Sequence, residues 1–256
     1  MVMNENDLIA VLQKAIRILE SFSEDNKTYS LNELCQKTGL AKTTVHRIIK
    51  TLIYEGWLIQ DDYTKRYSIG YGLMGFENLI SIKDNLIAIA EPEMVEMRDI
   101  FNETVTLTIL EHEHARCIHK AESDHPIKLT SVVGSYMPLY AGATSKALLA
   151  FTTDDFIENY LNHVELRPYN KNTVIDKEAI KKEILQIRRQ GYSVSNSEVD
   201  LDTITFCAPI FKKDRRIFAC LSISMPTYRY QDSMKDLLVK DVIKRTSAIN
   251  TIIAGQ

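Results

Sequence analysis

The chain has 256 residues, of which 25% are charged, with a formal net charge of −3. That length is enough for one large or two modest domains with their own cores. The near-neutral balance excludes a uniformly basic coat, so any nucleic-acid site must be a local patch. Cys35, Cys117, Cys207 and Cys220 are widely spaced with no C-x-x-C pair, the pattern of free thiols in a reducing compartment. No apolar run approaches the roughly 20 residues that span a bilayer. The N-terminus has acids where a secretory signal has its basic segment. A cytoplasmic protein is expected.

Residues 7–22 place Leu8, Leu12, Ala15, Leu19 and Phe22 at steps of three and four, which predicts an amphipathic first helix. A polar loop, SEDNKTYS, follows. Ser30 and Glu33 then form the S-x-x-E capping box of a second helix, and Gly39 falls where a left-handed residue ends it. The stretch 40–54, LAKTTVHRIIKTLIY, predicts a third helix. At about 100° per residue, Val45, Ile48, Ile49 and Leu52 make an inward stripe, while Thr43, His46, Arg47 and Lys50 make an outward ridge. From Leu34 to Tyr54 there is no Asp or Glu, so such a ridge approaches phosphates without like-charge repulsion. Helix, Gly-containing turn and basic helix together predict a helix-turn-helix. The candidate DNA contacts are Lys42, Thr43, Thr44, His46, Arg47 and Lys50.

Trp57, Ile59, Tyr67 and Ile69 alternate with polar residues around DDYTKR, which predicts a hairpin. After a helix-turn-helix it reads as a wing, with Lys65 and Arg66 near its tip available to backbone phosphate or pairing with Asp61 and Asp62. Residues 71–89 carry an apolar stripe, including Phe76 and Ile80, too wide for a free linker. This stretch predicts a dimerisation helix. Glu91-Pro92 is expected to reset the backbone and start a new helix over 92–101. The expected domains are therefore 1–70, a linker over 71–90, and 91–256.

The second half alternates strands and helices. TVTLTILEHEHARCIHKAES predicts two strands around a turn at 111–115. Asp176 is placed to cap a helix over 177–190, which Gly191 ends. GYSVSNSEV, TITFCAPIF and IFACLSISMP predict three strands, the last two joined by a turn at KKDRR. A final helix is expected over 231–252. A largely antiparallel sheet flanked by helices makes this an α+β domain.

Gly142 and Ala143 precede a predicted helix whose free N–H groups suit a carboxylate; simple capping by Thr144 is the plainer alternative. Ser222 and Ser224 stand two apart in a strand, so their hydroxyls share a face, either toward a site or toward solvent. Met137, Leu139 and Tyr140 are candidate apolar walls, with core packing as the plainer alternative. His112, His114, Cys117 and His119 are zinc-type ligands, but two strands around a turn need not converge them, and no metal or cofactor is expected. G-x-S-x-G, P-loop and G-x-G-x-x-G motifs are absent, so an enzyme is not expected. A metal-dependent hydrolase built on those histidines is the weaker alternative reading. The stronger one is a winged-helix protein whose second domain only oligomerises.

The chain resembles regulators of the IclR family (isocitrate-lyase-regulator type). The resemblance rests on SLNELCQKTGLAKTTVHRIIKTLIYEGWL and RYSIGYGL in the first half, and on VGSYMPLYAGATSKALLAF, GYSVSNSEV, FCAPIF and LSISMP in the second. It implies a winged helix-turn-helix, a linker helix used in dimerisation and a GAF-like effector domain. It further implies operator binding as a dimer or dimer pair, under control of small metabolites, often organic acids. By motif, the implied effector pocket involves Ala143, Thr144 and Ser145 before Lys146, the Ser222/Ser224 strand, Thr205 where the family often has Cys, and Ser195 in a stretch that often holds Asp. Glycines usual in the family are replaced here by Asp202 and Ser145.

Overall fold

The computed structural model describes residues 9–23, 26–73, 81–129 and 131–255. It divides into two units, Met1–Ser81 and Ile82–Gln256.

In the first unit, α1 (Ala10–Leu19), α2 (Leu31–Thr38) and α3 (Lys42–Tyr54) are followed by β1 (Leu58–Gln60) and β2 (Tyr67–Ile69). The capping box forms as the sequence predicts: Glu33 N–H donates to Ser30 Oγ, and Ser30 N–H donates to the Glu33 carboxylate at 2.6 Å. Gly39 closes α2 in the left-handed conformation at φ 69°. Val45, Ile48, Ile49 and Leu52 pack inward with Ile18, Leu34, Leu58 and Tyr67. The hairpin forms, with Leu58 opposite Ile69 and Gln60 opposite Tyr67. Its buried side chains are Leu58 and Tyr67, whereas Ile59 and Ile69 are exposed. In the run Trp57-Leu58-Ile59 both strand faces are apolar, so period two alone does not say which faces the core.

Gly70 and Gly72 explain the RYSIGYGL motif. The Gly72 N–H donates to Gly56 O at 2.9 Å, and the Gly70 N–H to Trp57 O at 2.8 Å. A Cβ on Gly70 would lie 2.3 Å from the Gly56 carbonyl oxygen, so any side chain there forces two backbone segments apart.

The second unit begins with α4 (Ser81–Phe101), one helix that runs through Pro92. The backbone reset expected at Glu91-Pro92 is absent. Leu86, Ala90, Met94 and Met97, on both sides of Pro92, join one core, and that shared burial outweighs the hydrogen bond lost at the proline. The earlier part of the predicted linker, with Phe76 and Ile80, lies outside the described residues, as does Leu8.

The strands β3 (Thr104–Glu111), β4 (His114–Ala121), β5 (Tyr136–Pro138), β6 (Ser193–Asn196), β7 (Thr203–Phe211) and β8 (Ile217–Pro226) form one sheet. Its order is β5-β4-β3-β8-β7-β6, with every pairing antiparallel. One face carries Val105, Leu107, Phe206, Leu221 and Ile223 against α4 and α8 (Lys235–Gly255). Arg245 of α8 is almost wholly buried and meets Glu93 at 2.9 Å, Glu96 at 2.7 Å and Asp241 at 3.1 Å. These contacts hold the Arg245 guanidinium above its ordinary pKa, led by the hydrogen bond to Glu96. The other face meets α5 (Ala143–Ala150), α6 (Asp154–His163) and α7 (Lys177–Gln190). Helix α6 and strand β5 go beyond the sequence expectations. Thr153 caps α6 by accepting from Phe156 N–H at 3.2 Å.

The close Gly70–Gly56 approach yields a test. Gly70→Ala should destabilise the first unit by about 1–3 kcal/mol. Trp57 is the chain's one tryptophan, so its fluorescence during denaturant unfolding reports on that unit.

Candidate effector cavity and DNA-facing helix

On α3 the outward ridge is open. Lys42, Thr43, His46, Arg47 and Lys50 are exposed and Thr44 is half-buried. Among the described residues, no protein acceptor engages the Lys42, Arg47 or Lys50 side chains. The fourth basic residue of the acid-free stretch behaves differently: Lys37 Nζ donates to Ser21 O at 2.9 Å and to Tyr29 Oη at 2.8 Å. At the wing, Asp61 accepts from the Tyr63 and Thr64 N–H groups, which shapes the turn. These bonds, led by those from Thr64, hold the Asp61 carboxyl below its ordinary pKa. Lys65 is exposed at φ 55°. Arg66 departs from the expectation of a free wing charge or an Asp61/Asp62 pair. Its guanidinium meets Glu33 at 2.8 Å and donates to Thr28 O at 3.0 Å. Tyr29 and Tyr67 form a backbone bridge beside it, so the Glu33 pair is closer to hand than the wing's own acids.

A cavity of about 320 Å³ lies within the second unit, between the sheet and the start of α5. Its floor follows from strand alternation. Thr106 and Thr108 of β3, Thr203 and Thr205 of β7, and Ser222 and Ser224 of β8 all face it. Register places Thr106 opposite Ser222 and Thr205 opposite Ser224. The first hydroxyl pair is 2.7 Å apart and the second 2.9 Å. Ser222 and Ser224 therefore face inward and are buried. The walls are Met137, Cys117 and, from the segment before β5, Ser131, Val132 and Ser135. Burial pushes the Cys117 thiol up.

Gly142 starts α5 at φ 82°, ψ 160°, a conformation open essentially to glycine. Ala143, Thr144 and Ser145 line the cavity from this helix. The N–H groups expected to receive a ligand are partly occupied. Ala143 N–H donates to Ser195 Oγ at 3.0 Å, and Gly142 N–H to Glu198 Oε2 at 3.2 Å. The Thr144 and Ser145 N–H groups have no acceptor among the described residues. Ser195, in the cavity wall, thus caps the helix. Lys146 turns away from the cavity and is buried, with Nζ 2.6 Å from Glu198 and 2.5 Å from Glu183 on α7.

Leu139 and Tyr140 do not line the cavity. Leu139 is fully buried in the core beneath α5, with its N–H donating to Tyr160 Oη at 2.7 Å. Tyr140 Oη donates to Arg167 O and accepts from Arg167 N–H. Conversely, Thr106, Thr108 and Glu198 were not anticipated. The alternation in TVTLTIL, in step with Ser-x-Ser of β8, was the available signal for the two threonines. Asp202 sits at φ 58°, a left-handed position that suits the family's usual glycine and that Asp also tolerates.

The four zinc-type residues are dispersed. His112 is a turn residue at φ 55°. His114 packs edge-on against Tyr136, Cys117 faces the cavity, and His119 lies 3.5 Å from Glu91. The register shift between Leu107 and Thr108 puts Cys117 and His119 on opposite faces. Among the described residues, no group of three or more His, Cys, Asp or Glu is arranged around a metal position, and no helix is long and apolar enough to cross a membrane.

A winged helix-turn-helix followed in the same chain by a helix-flanked antiparallel sheet defines a class of DNA-binding transcriptional regulator. The family model for the IclR helix-turn-helix domain matches residues 11–62, and that for the bacterial transcriptional regulator IclR C-terminal domain matches residues 81–251. The chain belongs to the IclR family. It is 31% identical to the HTH-type transcriptional regulator KipR of Bacillus subtilis, over 90% of this chain and 91% of that one. The crystal structure of Thermotoga maritima IclR is 25% identical and aligns with a TM-score of 0.78, covering 96% and 99% of the two chains. An IclR homolog from Microbacterium hydrocarbonoxydans, complexed with 4-hydroxybenzoate, shares the fold at a TM-score of 0.83 and 20% identity, covering 96% and 100%.

Lys146 supplies a second test. Lys146→Met leaves the buried Glu198 carboxylate without its cation, and such a loss costs about 3–5 kcal/mol. The lower end is expected here, because Glu183 is partly in water. Denaturant unfolding followed by far-ultraviolet circular dichroism measures it; a change within experimental error would show that the pair is not structural.

Proposed function

We propose that this IclR-family regulator binds operator DNA as a cytoplasmic homodimer or dimer of dimers, and that a small carboxylate-bearing metabolite in the cavity sets its operator affinity. The carrying observation is a hydroxyl-lined cavity that meets the N-terminus of α5, where the Thr144 and Ser145 N–H groups lack acceptors among the described residues. A helix N-terminus favours negative charge. The complex of a structurally similar IclR homolog with 4-hydroxybenzoate supports an organic acid as ligand. Ala143, Ser195, Thr205, Ser222, Ser224 and Met137 complete the proposed lining, with Thr106 and Thr108 added to the floor. Ligand control requires different affinities for two states of the dimer, typically about 1–3 kcal/mol of coupling. Dimerisation supplies the paired recognition helices that a two-fold operator needs.

On the DNA side, Lys42, Thr43, Thr44, His46, Arg47 and Lys50 are the proposed major-groove and phosphate contacts, with Lys65 from the wing. Arg66 positions the wing against α2 and is proposed only in that role. Arg47→Ala should cost about 1–3 kcal/mol of operator affinity if Arg47 reads a guanine, with specificity relaxed at one base pair. Uniform weakening across sequences would instead assign it to phosphate. Fluorescence anisotropy on an operator selected from a random duplex pool distinguishes the two, and unchanged affinity in an Arg47→Ala/Lys50→Ala double variant would remove α3 from the interface.

For the cavity, Ser222→Ala with Ser224→Ala should reduce the metabolite response and leave ligand-free operator affinity nearly unchanged. Titrating operator complexes with a panel of small organic acids measures both. A full response in the double variant would place the ligand elsewhere.

A further inference from the structure

We infer that Glu198 determines the specificity of this cavity, selecting a singly charged acid that carries hydroxyl donors beside its carboxylate over an oxo-acid of the same size. The inference rests on the reading that the cavity is the effector site, and it names the ligand class that the site takes.

Three observations carry it. Among the described residues, the cavity is lined by no Lys, Arg or His, but it does include two acids, Glu198 and Asp200. Glu198 is itself more than nine-tenths buried. It is held rigidly: Oε1 accepts from Lys146 Nζ at 2.6 Å, Oε2 from Gly142 N–H at 3.2 Å, and its carbonyl from Thr173 Oγ1 at 2.6 Å. Finally, Thr108 and Ser145 are more than nine-tenths buried and line the cavity, and their hydroxyls have no partner among the described residues.

A carboxylate is acceptor-only, and each of its oxygens has capacity for more than one hydrogen bond. Glu198 lines the cavity, and its Oε2, which accepts from Gly142 N–H beside the helix start, has capacity for a further donor there, next to where the ligand's carboxylate would sit. A ligand hydroxyl there donates to Glu198. A ligand carbonyl oxygen at the same place has nothing to donate and faces a negative group in a poorly solvated site. A second carboxylate fares worse for the same reason. The remaining hydroxyls of the floor both donate and accept, so they suit further hydroxyl groups, and about 320 Å³ leaves room for them. The favoured ligand is thus a hydroxylated monocarboxylate, as in the aldonic acids.

The test is calorimetry on the full-length protein with matched pairs, lactate against pyruvate and glycolate against glyoxylate, together with gluconate and malate. The wild type should bind each hydroxy acid about tenfold or more tighter than its oxo partner. Gluconate should bind tightest and malate more weakly than lactate. Glu198→Gln should bring the hydroxy-to-oxo ratio close to one, a change that a purely structural role for Glu198 would not produce. The wild-type ratio is decisive even if that variant fails to fold. Oxo-acids binding as tightly as their hydroxy partners, or an unchanged ratio in a folded Glu198→Gln protein, would overturn the inference and leave the effector reading standing. Binding by no acid in the panel, with operator affinity unmoved by all of them, would overturn both.

Discussion

The second unit depends on one constraint, the two-residue period of its strands. In β3 the residues Thr104, Thr106 and Thr108 alternate with Val105, Leu107 and Ile109, and β8 repeats the pattern with Ser222 and Ser224 against Leu221 and Ile223. Antiparallel register then aligns like with like, Thr106 with Ser222 and Leu107 with Leu221. One face becomes a dry surface for α4 and α8, and the other a floor of hydroxyls. A slip of one residue would send the aliphatic set into the cavity and the hydroxyls into the core, so burial itself enforces the register. Each cross-strand hydroxyl pair adds about 0.5–1.5 kcal/mol. That is small beside the apolar face, but it sets where each hydroxyl points.

Charges complete what the alternation begins. Buried ions persist only when paired, and among the described residues both large buried cations of this unit are. Arg245 draws carboxylates from α4 and α8 onto one guanidinium, fixing those helices to each other. Lys146 does the same between α5, α7 and the segment after β6. Glu198 connects the Lys146 pair to the cavity, because its other oxygen holds the N–H of Gly142, the residue that leads into α5. A change at the cavity thereby bears directly on the packing of α5 against α7.

The first unit divides its basic residues between folding and recognition. Lys37 and Arg66 bind protein groups, Lys37 the Ser21 carbonyl and Tyr29, and Arg66 Glu33 and Thr28. Lys42, Arg47 and Lys50 remain on the open ridge of α3. The Ser30 and Arg66 contacts, led by the Ser30 backbone N–H, hold the Glu33 carboxyl below its ordinary pKa. The cap of α2 and the base of the wing thus share one acidic residue.

What was legible in the sequence was what local chemistry specifies. The Ser30/Glu33 box, Gly39, the α3 stripe, the Asp176 cap and Gly191 depend on neighbours within a turn or two, and all form as read. Strand alternation likewise announced Ser222 and Ser224 as a pair. Tertiary structure decided what depends on distant partners. Pro92 is a helix breaker by local rules, yet α4 continues because residues on both sides of it bury in one core. Leu139 and Tyr140 look like pocket walls until α5 and α6 close over them. Ser195 and Glu198 acquire their roles only when the chain after β6 folds back on the start of α5, more than 50 residues earlier in the chain. Hydrogen bonds across that separation leave no periodic trace in a sequence, because nothing in the spacing of the residues encodes which donor will meet which acceptor.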